Sequence, residues 1–195
     1  MGTRISKHFD FLSAVYFEGQ FLINNFDISL TLLVETDSIH EQNIAMERIK
    51  YFINDRLENC VFVQDTETRI IEKYQAAGLK VCTLPEEPYD QIITILLLQK
   101  LNAICEGKLI VTSIDLESIL SDGVGFMYDI DDMQNLHHFK NGWWTENSNS
   151  ISTKVLGKKE KIVRLVKNND WVSLGLDWTN KENCSEIIFA PDLEK

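Results

Sequence analysis

The sequence predicts an α+β protein: an antiparallel sheet packed by helices, with a β-rich C-terminal extension. Three observations lead there. Residues 26–32 alternate strictly, with Phe26, Ile28, Leu30 and Leu32 to one side and Asp27, Ser29 and Thr31 to the other. A period of two marks a strand with one buried face and one wet face. Residues 45–57 carry apolar side chains at helical spacing instead, at Ala45, Ile49, Phe52, Ile53 and Leu57. Residues 92–98 are apolar almost all the way round, as suits a helix buried between two layers.

The elements follow in order. Residues 9–17 form a first strand, and Glu18-Gly19-Gln20 is short enough to turn it into an antiparallel hairpin with the second. Ser38-Ile39-His40-Glu41 fits a capping box, in which Ser38 accepts from the Glu41 amide and Glu41 reaches back. The helix it opens ends near Glu58-Asn59. Residues 60–63 are a short apolar segment, and Asp65 is placed to cap a second helix with Ile70, Ile71, Tyr74 and Ala77 on its buried side. Gly78 suits the left-handed residue after that helix. Residues 79–84 are extended. Pro85 and Pro88 then lead into a third helix from about Tyr89 to Cys105, which Gly107 stops. Its apolar core is far shorter than the roughly 20 residues a membrane span needs. Residues 109–114 and 124–130 are strands around an acidic loop from Asp115 to Gly123.

Beyond residue 131 the chain turns polar and rich in turn formers. Asn141-Gly142 is a hairpin signal. Residues 160–166 and 171–178 flank a second turn, and 185–190 can add a last strand. The expected division is therefore an α+β domain over 1–130 and a β-rich extension or small subdomain over 131–195.

Composition narrows the partners. The net charge of −11 and the lack of a Lys/Arg stripe argue against nucleic acid and against an anionic membrane surface. The cysteines Cys60, Cys82, Cys105 and Cys184 show no metal spacing and read as reduced and buried. The N-terminus has no signal-peptide pattern, so the cytoplasm is the expected location.

The order strand, strand, helix, helix, long buried helix, strand, strand over residues 9–130 resembles the tunnelling fold of the 6-pyruvoyltetrahydropterin and 6-carboxytetrahydropterin synthases. On that resemblance the core is ββααββ, with room for an extra helix at 66–77. It implies subunits assembled around a ring, with ligand sites where subunits meet. It also implies where the family's chemistry would sit. The zinc-binding His-Gly-His falls on Ile23-Asn24-Asn25, the family's cysteine on Gly19, and its first-strand histidine near Val15 or Tyr16. Ile23 cannot ligate zinc and an Asn amide is a poor ligand, so no metal is expected. The acid–base motif Leu-Asp-His falls on Leu57-Glu58-Asn59, where Asn59 cannot titrate. Pro-Thr-x-Glu-Asn falls on Pro88-Tyr89-Asp90-Gln91-Ile92, where only the proline matches. For the glutamate that anchors the heterocycle, Asp115 and Glu117 are the nearest counterparts.

Other constellations are weaker. His137 and His138 are adjacent, so on a strand they would face opposite ways. Asp129, Asp131, Asp132 and Glu146 lack the glycine and distal glutamate of a calcium loop. Trp143 and Trp144 are either an exposed interaction surface or the core of a small subdomain. No residue stands out as catalytic, and no cofactor is expected. The sequence thus leads to a non-catalytic or strongly diverged tunnelling-fold-like protein acting by binding and homo-oligomeric assembly. The alternatives are a zinc-independent enzyme on a pterin- or purine-like ligand held by Asp115 or Glu117, and a protein-interaction module using the Trp-rich tail.

Overall fold

The computed structural model describes residues 2–135, 139, 141–152 and 170–179. Its centre is a six-stranded sheet: β1 (Arg4–Phe17), β2 (Gln20–Val34), β3 (Cys60–Gln64), β4 (Lys80–Leu84), β5 (Leu109–Ser118) and β6 (Phe126–Asp129), in the order β4-β3-β1-β2-β5-β6. Three helices pack on it: α1 (Ile39–Tyr51), α2 (Thr68–Ala76) and α3 (Asp90–Cys105). The β1–β2 hairpin turns at Glu18 and Gly19, both at positive φ, and pairs from Arg4↔Leu33 to Phe17↔Gln20. The sheet is mixed, which corrects the antiparallel expectation. β3 runs parallel to β1 and β4 parallel to β3. The reason is α2, whose crossover returns the chain to the same end of the sheet before β4 begins.

Alternation sets the two faces. Phe9, Phe11 and Val15 of β1 share the helix side with Phe26, Ile28, Leu30 and Leu32 of β2, and all are buried. α1 and α3 cover that side. On the other side, Ile71 of α2 packs against Ala14, Val61, Val63 and Val81, flanked by Ile70 and Tyr74. Beyond α2, the same side of β1, β2 and β5 presents Asp10, Asp27 and Glu117 as exposed side chains.

Several ends differ from expectation. Ser38 does accept from the Glu41 amide at 3.3 Å. The Glu41 carboxylate accepts from Thr36 and Lys108 instead of reaching back, because Lys108 offers it a cation 2.8 Å away. α2 starts after Glu67 rather than at Asp65 and has no side-chain cap. α1 runs on into a π-helical turn, Phe52–Leu57, which keeps Phe52, Ile53 and Leu57 buried. β5 extends to Ser118, so the first four residues of the expected acidic loop are strand and a 3₁₀ turn, Ile119–Ser121, follows them.

The described stretches beyond residue 130 contain turns and 3₁₀ turns and no strand. At Asn141-Gly142 the chain enters a 3₁₀ turn, Trp143–Thr145, rather than a hairpin, and 171–178 is turn rather than strand. The strands expected at 160–166 and 185–190, and His137-His138, lie outside the described residues. Trp143 and Trp144 are 1% and 4% exposed, which corrects the exposed-surface reading. They belong to the main hydrophobic cluster, with Trp143 stacked on Phe52 and its Nε1 donating to the Thr83 carbonyl.

Two buried cations tie these segments to the helices. The Lys100 ammonium on α3 donates to the carbonyls of Trp143, Glu146 and Ser148 at 2.7, 2.9 and 2.6 Å. Burial pushes this ammonium down to about 7, with Glu146 and Cys82 acting the other way. Only the protonated form carries the three N–H donors that the three carbonyls use. Arg48 on α1 donates to the carbonyls of Leu176 and Ile104 and pairs with Glu106. Its guanidinium lies 4.9 and 3.9 Å from the Trp171 and Trp178 rings, within cation–π range. Replacing Lys100→Met is expected to cost about 3 kcal/mol in urea unfolding, since three desolvated carbonyls lose their donor. A loss under about 1 kcal/mol would show that water replaces the ammonium at no great cost.

Candidate binding cavity

Where the hairpin end meets the start of α3, a cavity of about 380 Å³ opens on the helix side of the sheet. Its walls are mainly apolar, from Val15, Phe17, Leu22, Leu120 and Phe126, with Asn24, Asp90, Gln91 and Ser121 supplying polar groups. This volume lies in the range of small-molecule sites, which combine apolar walls with a few convergent polar groups.

Asn24 reaches the cavity because of strand phase. It lies on β2 opposite Ser13, in register with Leu22, Phe26 and Ile28 on the helix side. It is 1% exposed. Its Oδ1 accepts from the Leu120 amide at 3.2 Å, while Nδ2 is buried with no partner among the described residues. A buried amide donor left unpaired costs about 1–3 kcal/mol.

Asp90 is the first residue of α3, after the uncapping Tyr89. Its Oδ2 accepts from Ser118 Oγ at 2.6 Å. Burial raises its pKa above the ordinary aspartate value, and hydrogen bonds from Ser118 and Ser121 oppose that rise. The two polar groups are held by one turn. Ser118 and Ser121 bond reciprocally, Ser118 N to Ser121 Oγ at 3.1 Å and Ser121 Oγ to Ser118 O at 2.8 Å. The turn closes through Asp122 and Gly123 at positive φ. Thus Leu120 positions Asn24 and Ser118 positions Asp90. The first intrahelical bond of α3 is Ile93 N to Tyr89 O, which leaves the amides of Asp90, Gln91 and Ile92 without partners inside the helix.

The residues singled out from sequence lie elsewhere. Asp115 and Glu117 are on β5 with their side chains in the opposite phase to Ser118, and neither lines the cavity. They sit beside Gly125, where a Cβ would stand 3.1–3.3 Å from atoms of both side chains. Ile23 and Asn25 fall on that same opposite side, Ile23 at 68% exposure. Among the described residues no group of three or more His, Cys, Asp or Glu is arranged to hold a metal. Asn24 and Asp90 were not singled out as a binding pair. The signal was present at Asn24, an amide in the apolar phase of an alternating strand. At Asp90 there was none, because its partner Ser118 is 28 residues away.

No family model matches the chain, and no curated protein matches it significantly. Among solved structures, an uncharacterized protein from Wolinella succinogenes superimposes with a TM-score of 0.47 at 13% identity, over 67% of this chain and 99% of that one. A 6-pyruvoyltetrahydropterin synthase from Plasmodium vivax, in a catalytic-residue mutant form, superimposes with a TM-score of 0.43 at 10% identity, over 66% and 97%. Neither similarity assigns a residue role or an activity to this chain.

Titration exposes Asp90's surroundings. Its folded pKa is raised above the unfolded value, so its contribution to stability is fully present below about 3.8 and is lost as pH rises through the folded pKa. Relative to Asp90→Asn, the natural chain should therefore gain stability as pH falls from neutrality toward 4, read by urea unfolding of both. A constant difference over that range would mean the carboxyl titrates as in solvent.

Proposed function

We propose that this chain is a tunnelling-fold-type protein that acts by binding, without catalysis, and assembles as a homo-oligomer. The observation that carries the binding reading is the preformed, mainly apolar cavity of about 380 Å³, whose lining gathers Asn24, Asp90, Gln91 and Ser121 at the start of α3. Within it, Asp90 offers acceptor capacity beside Asn24. Nothing in this pair activates a nucleophile or moves a proton through a titrating chain, so the arrangement suits recognition rather than turnover.

Assembly is favoured by what surrounds the cavity. Ile23, Ile119, Val124 and Met127 are exposed apolar side chains near the hairpin end, the Ser118–Ser121 turn and β6. Large apolar side chains gathered at one end of a sheet mark contact surface. A pterin- or purine-like ring held at Asp115 or Glu117 is the second reading, favoured by the bare backbone of Gly125 against both carboxylates.

A thermal-shift screen over small uncharged ring compounds, pterins and purines included, is expected to raise the melting temperature of the natural chain and not of Asn24→Leu. Stabilisation lost on Asp115→Asn or Glu117→Gln, and kept in Asn24→Leu, would move the site to the other side of the sheet. Light scattering after gel filtration should give a multiple of 22.5 kDa, reduced by the double change Ile119→Asp, Met127→Asp. A monomeric mass at micromolar concentration would reject assembly.

A further inference from the structure

The net charge of −11 conceals a segregation. Six of the chain's 19 Lys and Arg residues fall within 153–169, with Glu160 as the one acid among them. The rest of the chain carries the opposite excess, and part of it gathers on the side of the sheet away from α1 and α3. Asp10 pairs in register with Asp27, and Asp27 with Glu117, so three carboxylates stand in one row across β1, β2 and β5. Side chains directly opposite on adjacent strands lie about 5 Å apart at Cβ, and like charges there repel. Among the described residues the row has one basic contact, His8 Nδ1 at 3.4 Å from Asp27, and no ion pair with Lys or Arg. No described helix covers it, because α2 packs farther along that side, at Ala14, Val61 and Val81.

We propose that residues 153–169 lie across this row, with their Lys and Arg side chains against Asp10, Asp27 and Glu117 of the same chain. The charges are complementary, and Asp115, which shares the Gly125 contact with Glu117, adds a fourth carboxylate to the face. Apolar groups match as well. Ile162, Val163, Leu165 and Val166 are interleaved with the cations, and Leu12 and Ile23, on the same side of the hairpin as Asp10 and Asp27, are 44% and 68% exposed. The chain is also long enough. The Ile151 carbonyl accepts from the Thr83 amide at the β4 edge, and the register sets Thr83 level with Tyr16. Asp10 is then about three strand spacings across and about six residues along, roughly 25 Å away. Lys161 lies nine residues past Ser152, up to about 30 Å of extended chain, and eight more residues lead to Asp170.

Carbodiimide cross-linking of an equal mixture of natural-abundance and heavy-nitrogen protein, read by peptide mass, tests the contact. Links from Lys158, Lys159 or Lys161 to Asp10, Asp27 or Glu117 are expected, each within one isotope. They should weaken at least about fivefold at about 0.5 M salt, which screens exposed charges. Mixed-isotope links to the same carboxylates would put a second copy's tract on the face and overturn the proposal. Links from the tract to other carboxylates alone, or no links, would overturn it too. Trypsin supplies a second readout. The triple change Asp10→Asn, Asp27→Asn, Glu117→Gln should speed cleavage after Lys158, Lys159, Lys161 and Arg164 at least about fivefold over the natural chain. An unchanged rate would reject the contact. The variant removes like-charge repulsion from the sheet and is expected to fold; if it does not, cross-linking of the natural chain decides the matter.

Discussion

A helix that is apolar on nearly every side must be covered on nearly every side, and α3 sets that requirement for the whole molecule. From Ile93 to Cys105 most of its side chains are buried. The sheet can cover only one flank. The opposite flank is closed by Trp143, Trp144 and their neighbours, which join the same hydrophobic cluster as Phe11, Phe26 and Leu101. Bringing irregular chain into a core leaves carbonyl groups without water, and such groups need donors. Lys100 supplies three from within α3 itself, and Arg48 does the same for Leu176 and Ile104. Long cationic side chains suit this role because one head group serves several carbonyls at once.

The cavity follows from the same packing. The last inward-facing side chains of the hairpin, Val15, Phe17 and Leu22, line it together with Tyr89, Asp90 and Gln91 at the start of α3. The turn after β5 closes part of the gap and contributes Leu120 and Ser121. What remains is a space with mainly apolar walls and polar groups from Asn24, Asp90, Gln91 and Ser121. Asn24 Oδ1 and Asp90 Oδ2 are each held by a neighbour on the turn, while Asn24 Nδ2 has no partner among the described residues. Among the described residues it shares that state with one other buried amide donor, Asn149 Nδ2.

Much of the scaffold was legible because the signals are local. Alternation placed the hairpin, the Ser38 cap placed α1, and the run at 92–98 placed a buried helix. The parallel placement of β3 and β4 was not legible, since each is five residues long and short apolar strands carry no mark of direction. Trp143 and Trp144 could be read as surface or as core from sequence, because an aromatic residue near a turn suits both. Their burial depends on Lys100, 43 residues upstream of Trp143, and on Phe52 in the π-helical turn. Asp115 and Glu117, expected in a loop after residues 109–114, lie within β5, whose phase directs them away from the cavity.

Sequence alone determined the things that periodicity encodes: an α+β chain, a long first hairpin, a wet and a dry side to its second strand, and a central buried helix. Those follow from which side chains prefer water, repeated every two or 3.6 residues. Tertiary structure decided the strand directions, the burial of the tail tryptophans and the meeting of Asn24 with Asp90 around one turn. Those depend on contacts between residues tens of positions apart, where no local preference signals the partner.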